Sequence, residues 1–223
     1  MPERTGRAIV VGGEATVRRH PDLAVVSLVV SARDRKPATA RGEANQRTDA
    51  ILARLAELRV RKGDVQAPSL RLEPIHDYSR GKPKLVAYEA SRPMTIRVRA
   101  LDLLGTILDA LVDDGATQVQ GTSLELAEPE AAAHDALTAA VEVARARAEA
   151  VATAAGLTLG ATLRIEEDPG SLALPLREAG ALAMARMDVA PTTVVPGEIE
   201  ITARIRATYA LRRASAGRRS VRG

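Results

Sequence analysis

The sequence predicts an α+β protein built from largely antiparallel sheets with helices packed on one face. Three observations carry this. The run from Pro129 to Gly156, PEAAAHDALTAAVEVARARAEAVATAAG, has the periodicity of one long helix with both ends marked. Two stretches, Met94 to Arg99 and Ile199 to Leu211, alternate apolar and polar residues as a strand with one buried and one wet face does. The order is strand, helix, strand twice over, followed by the long helix and two closing strands.

Taken in order, Asp22 to Ala32, DLAVVSLVVSA, is rich in β-branched residues and almost continuously apolar. It predicts a strand covered on both faces, or on one face and by a neighbouring chain. A helix follows, with Pro37 near its start and a stripe of Ala44, Thr48, Ile51, Leu52, Leu55 and Leu58. After the Lys62-Gly63 turn, VQAPSLRLEP alternates around Leu70 and Leu72. Pro68 cannot donate to a ladder, which predicts an edge strand or a bulge. Ile75 to Leu85, IHDYSRGKPKL, reads as a polar turn. In the strand after it, Met94, Ile96 and Val98 face inward and Thr95, Arg97 and Arg99 face water.

Asp102 is placed to cap the helix DLLGTILDALVDDG, whose Leu104, Ile107, Leu108 and Leu111 share a side and whose Gly115 ends it. A strand around Val119 to Leu126 leads into the long helix. There Ala133, Leu137, Ala140, Val141, Ala144, Ala148, Val151, Ala152 and Ala155 form the expected buried stripe. Asp135, Thr138, Glu142, Arg145 and Glu149 form the polar one, with Arg145 and Glu149 at a pairing distance of one turn. Pro129 suits the first helical position, Glu130 the positive end of the dipole, and Gly156 a left-handed C-terminal cap. At about 1.5 Å per residue the helix is on the order of 40 Å long. ATLRIEED after Gly160 alternates, and so does the last strand, with Ile199, Ile201, Ala203, Ile205, Ala207, Tyr209 and Leu211 on one side.

These elements divide into two interlocked subdomains, residues 8–86 and 87–168, closed by a strand at 197–212. The pattern from Tyr88 to Asp168 matches a ferredoxin-like unit. No repeat of fixed period links the halves. Between the last strands, residues 169–196 form a long loop too apolar for a solvated linker. Its Leu174, Leu176, Leu182, Met184 and Met187 are the expected contacts with a second subunit.

The 223 residues carry a formal charge of +4. Five arginines and no acid lie in the last twelve residues, so residues 1–211 carry −1. Residues 213–223 read as a disordered basic tail, open to weak contact with anionic surfaces. Phe and Trp are absent and only Tyr78, Tyr88 and Tyr209 could stack on a base, which speaks against specific nucleic-acid binding. Absence of Cys removes disulfides, thiolate nucleophiles and sulfur-ligated metals. No run approaches the length of a transmembrane helix. As written, the chain shows no leader pattern and is expected in the cytoplasm; a periplasmic or extracellular place is expected if it is part of a longer precursor.

Reactive constellations are thin. His20 near Asp22 and His76 beside Asp77 are ligand types, but a metal wants three or four converging ligands and the chain holds only three His. Glu166, Glu167 and Asp168 could divide acid and base roles, though a solvated strand end explains them more simply. Gly12-Gly13 is followed by strand pattern where a phosphate loop needs a helix N-terminus. Ser27, Ser31 and Ser91 fall within strands and have no visible base. No catalytic, cofactor or metal residue is assigned.

Several stretches resemble the SIMPL-domain family in order and spacing. They are GEATVRRHPDLAVVSLVVSA, where the family has a Gly-Glu turn before a strand containing Pro-Asp; Asn45; the Asp64-Val65-Gln66 turn followed by LRLEP; YEASRPMTIRVRALDLLGTILDALVDDGATQVQGTSLEL; AEAVATAAGLTLG; and PGEIEITARIRATYAL. The resemblance covers about residues 8–212. It implies an α+β fold, a bacterial envelope or periplasmic setting with a stress-related role, and for some members a ring- or channel-like oligomer. It implies no catalytic residues.

Two functions follow as expectations. The first is a non-enzymatic protein that associates with itself, because alanine-filled stripes remove little apolar area from water and burial between subunits offsets this. The alternative is a small-ligand binder or enzyme with a pocket between the halves, closed by residues 169–196.

Overall fold

The computed structural model describes residues 7–79, 81–168 and 197–213. Eight strands and three α-helices are described, in the order β1 (Ala8–Arg19), β2 (Leu23–Asp34), α1 (Pro37–Glu57), β3 (Val65–Gln66), β4 (Arg71–Asp77), β5 (Lys84–Val98), α2 (Leu104–Asp113), β6 (Gln118–Glu125), α3 (Pro129–Ala154), β7 (Leu157–Glu167) and β8 (Ile199–Arg213). Every strand pairing is antiparallel, in agreement with the expected α+β class. The oligomer contacts expected at Leu174, Leu176, Leu182, Met184 and Met187 lie outside the described residues, as do residues 214–223 of the basic tail.

By packing the chain forms two units, one from 20–127 and the other from the segments on either side of it. The first unit holds a sheet of order β3-β5-β2-β6, with β4 also paired to β5. Its central strand β2 buries Ala24, Val26, Leu28 and Val30 on alternate positions, and leaves Val25, Ser27, Val29 and Ser31 half-buried. The core on that face joins Ile51 and Leu55 of α1, Met94, Ile96 and Val98 of β5, and Leu104, Ile107, Leu108 and Leu111 of α2. Leu52, expected in the α1 stripe, is 38 % exposed, and the buried stripe extends one turn before Ala44 to Ala40.

Asp102 does not cap α2, because a 3-10 turn over Leu101–Leu103 precedes the helix and Leu103 holds the cap position with no side-chain bond. Gly115 does end it, with φ at 111°. Pro68 interrupts the expected strand into β3 and β4, both at the margin of the sheet. The supposed turn from Ile75 to Leu85 is ladder at both its ends. β4 continues to Asp77 and β5 begins at Lys84, so the two form a hairpin.

The second unit holds a three-stranded sheet of order β1-β8-β7, with α3 on one face. β1 runs through Gly12-Gly13-Glu14 without a break, where a Gly-Glu turn was expected from the resemblance. Twelve consecutive residues, Ala8 to Arg19, pair with Ala210 to Ile199 of β8. β8 keeps the predicted alternation, burying Ile201, Ala203, Ile205, Ala207 and Tyr209. β7 does not; it is exposed from Ala161 to Glu167.

α3 begins at Pro129 as expected, and Gly156 beyond its end has φ 68°. Its buried face differs from the predicted one. The buried residues are Ala132, Ala136, Ala140, Ala144, Ala148 and Ala152, every fourth residue, while Val151 is 53 % exposed. The reason is distance. A Cβ on Gly13 would overlap the Ala140 carbonyl oxygen and lie 2.9 Å from Ala144 Cβ. The helix backbone therefore rests almost on the strand, and only alanine fits the seam.

β5 spans the junction expected at residues 86 and 87. The strands expected in a ferredoxin-like half are distributed, with β5 and β6 flanking β2, and β7 beside β8.

Candidate functional site

α3 covers one face of the β1-β8-β7 sheet, so the polar residues of the strands are turned to the other. Register brings them opposite one another: Arg18 to Glu200, Thr16 to Thr202 and Glu14 to Arg204. Each pair bonds. Arg18 Nε donates to Glu200 Oε1 at 2.8 Å, the Thr16 and Thr202 hydroxyls meet at 2.8 Å, and Arg204 donates to Glu14 Oε1 at 3.1 Å. Arg164 donates to Glu166 along β7 at 2.6 Å. On the margin of β1, Arg147 of α3 reaches the Gly12 carbonyl oxygen at 2.9 Å. An open depression of about 520 Å³ is lined by Glu14, Arg147, Glu166, Glu167, Asp168, Arg204 and Arg206, with Gly12 and Gly13 at its floor.

The electrostatics of this depression favour fixed charge. The Arg204 hydrogen bond, and then its charge, hold the Glu14 carboxyl below its ordinary range, and Arg204 is pushed up by the same two causes. A general acid or base works best with a pKa near the operating pH. The shift of Glu14 runs away from that. Exposed pairs of this kind are worth little each. Together they tile a wet sheet face, and they offer no dry wall that would bury a small ligand.

The other sequence candidates do not gather. His20 lies in the β1–β2 connection, His76 on β4 and His134 on α3. Asp22 is used structurally, its Oδ1 accepting the Ala127 amide at 2.6 Å. Asp77 Oδ1 accepts the Ser79 amide at 2.8 Å, and that backbone bond lowers its pKa. Among the described residues, no three His, Asp or Glu converge as a metal site. In the acidic run, Glu166 is taken by Arg164, and the Asp168 amide continues the ladder to the Arg204 carbonyl. Ser31 and Ser91 face each other across β2 and β5, and Ser27 lies in β2.

A second feature was missed by reading Ile75–Leu85 as a turn. β2 ends its pairing at Asp34 opposite Tyr88, so Lys84–Ala87 runs past the end of the neighbouring strand and, among the described residues, is paired only with Ile75, His76 and Asp77. The result is a hairpin arm. It exposes Leu72 (41 %), Tyr78 (71 %), Leu85 (44 %) and Val86 (42 %). The ring of Tyr78 stands 6.3 Å from that of His76. The paired apolar residues at 70, 72, 75, 85 and 86 were the signal for it. β7 also carries unspent apolar surface, with Leu163 60 % and Ile165 49 % exposed, while Val10, Val112 and Val151 stand out singly on β1, α2 and α3. Isolated exposed apolar residues need no explanation, but grouped ones on strand margins mark interaction surfaces.

The profile of the SIMPL family, described as a protein of unknown function (DUF541), matches residues 9–209. Three curated proteins show the range of similarity. "Uncharacterized protein YggE" of Escherichia coli K12 is 32 % identical over 155 residues, 70 % of this chain and 63 % of that protein. The protein of the same name in Edwardsiella ictaluri is 30 % identical over 161 residues, 72 % of this chain and 66 % of its own. The "26 kDa periplasmic immunogenic protein" of Brucella melitensis is 30 % identical over 164 residues, 71 % of this chain and 66 % of its own. The match spans just under two thirds of the length of each relative.

Proposed function

This chain belongs to the SIMPL family of proteins of unknown function, and from that premise we propose that it is a non-enzymatic protein that associates with itself into a ring- or channel-like homo-oligomer. One observation carries the reading. Large apolar side chains stand outward on the hairpin arm and on β7, while the long helix buries only alanine. An alanine removes little area from water, at about 25 cal/mol per Å². Contact between copies supplies the burial that the single chain forgoes.

The charge pattern supports the same reading. On the open sheet face Arg18 pairs with Glu200, Arg164 with Glu166 and Arg204 with Glu14, as on a surface meant to stay solvated, and the Arg204 pairing lowers the pKa of Glu14. Proton-transfer chemistry asks for the opposite. None of the three relatives described above carries an enzymatic name. An envelope setting is part of the proposal, since the Brucella relatives are named periplasmic; a stress-related duty rests on the family resemblance. No described helix is long and apolar enough to cross a membrane.

Light scattering after size exclusion, with particle images of the same fraction, tests the proposal. The expected result is a mass of several chains and a closed outline. A single-chain mass at micromolar concentration overturns it.

A further inference from the structure

We infer that the β4–β5 arm of one copy docks against the free margin of β7 in the next copy, so that the contact is head-to-tail. This rests on the self-association reading and assigns it a surface.

Three properties of the two elements match. The first is hydrogen-bonding capacity. Among the described residues β7 pairs only with β8, and its register is regular from Arg164 to Glu167 after irregularities nearer its start. Among the described residues Lys84–Ala87 of the arm has a strand on one side only. Among the described residues each therefore presents four residues of backbone without a second ladder partner, those of the arm interrupted by an irregularity at Val86. Addition of one such row to the other is a common mode of recognition.

The second is apolar surface. Leu85 and Val86 lie on the overhanging stretch, and Leu163 and Ile165 on the strand proposed to receive it. The third is charge. Lys82 and Lys84 lead into the arm, and Glu167 closes β7 beyond the Arg164–Glu166 pair. Opposite charges at the ends of two short strands fix which way they lie.

Because the two surfaces are different, a pair still has one arm to offer at one end and one β7 margin at the other. Such heterologous contacts build rings when the rotation closes. An arm-to-arm contact would stop at two chains.

The absence of cysteine makes the contact testable with introduced thiols. One preparation carries Val86→Cys and another Ile165→Cys, both at exposed positions; circular dichroism checks that each folds. Each is treated alone and mixed with a short bis-maleimide, then run on a denaturing gel, with light scattering on the same samples. The inference expects cross-linked pairs in the mixture, at least about tenfold above either variant alone. Oligomers by scattering with no excess in the mixture overturn the docking and leave self-association standing. Cross-linking by Val86→Cys alone, equal to the mixture, replaces it with an arm-to-arm contact. A single-chain mass for the unmodified protein removes both.

Discussion

The two sheets of this chain each carry helical cover on one face, and they are filled by opposite means. Between β2, β5 and helices α1 and α2, the space is occupied by Leu28, Ile51, Leu55, Met94, Ile96, Ile107 and Leu111. Between α3 and the β1-β8-β7 sheet the helix contributes alanines, and Gly13 lets the two backbones approach. In the first, stability comes from apolar volume. In the second it comes from closeness, since dispersion gains depend on contact and a seam of small residues leaves few voids. The lesson is that a buried face is chosen by the distance between elements as much as by hydrophobicity.

Exchanging the two chemistries breaks the comparison most sharply. Ile96→Ala empties the bulky core and is expected to cost about 2–5 kcal/mol in urea denaturation. Gly13→Ala acts by the reverse change, adding one carbon against the Ala140 carbonyl, and is expected to cost about 1–3 kcal/mol or more because backbone stands on both sides. If Gly13→Ala is neutral, the seam is looser than described and the contrast between the sheets fails.

Smaller effects sharpen it. Val151 has the hydrophobicity of a core residue and sits outside the seam, so Val151→Ser is expected to change stability by no more than about 0.5 kcal/mol. A loss several times larger would place it in a buried contact. Glu14→Gln tests the wet face. The folded pKa of Glu14 lies below its unfolded value, so its contribution is complete above the unfolded pKa and is lost as pH falls through the folded one. Denaturation midpoints of Glu14→Gln and the parent should therefore differ slightly near neutrality and converge in acid. A gap that widens in acid contradicts the Arg204 pairing.

Much of this was readable from residue order because helices and half-buried strands are local patterns. Pro129, Gly156, the α2 stripe and the alternation of β8 all stand where periodicity puts them. The seam was read only in part: Ala140, Ala144, Ala148 and Ala152 stood in the expected stripe, but ranking by hydrophobicity added Leu137, Val141 and Val151 and passed over Ala132 and Ala136. The fourfold run of Ala132, Ala136, Ala140, Ala144, Ala148 and Ala152, set beside Gly13, was the available signal. The pairing of β1 with β8 joins residues nearly two hundred positions apart, and nothing local announces it. For the docking surfaces, Leu85 and Val86 were hidden by the Gly, Pro and Lys around them, which have the composition of a loop. Leu174 to Met187, singled out instead, fall outside the described residues.

The long ladder between β1 and β8 also sets a schedule during synthesis. Strands β2 to β6 and helices α1 and α2 all lie within residues 23–125, so they have left the ribosome while β8 is still unmade. β1 emerges before any of them and has its neighbour only when translation reaches the last strand. Until then its free backbone must be kept from other nascent chains, and the Arg and Glu side chains at 14, 18 and 19 are the means written into the strand itself.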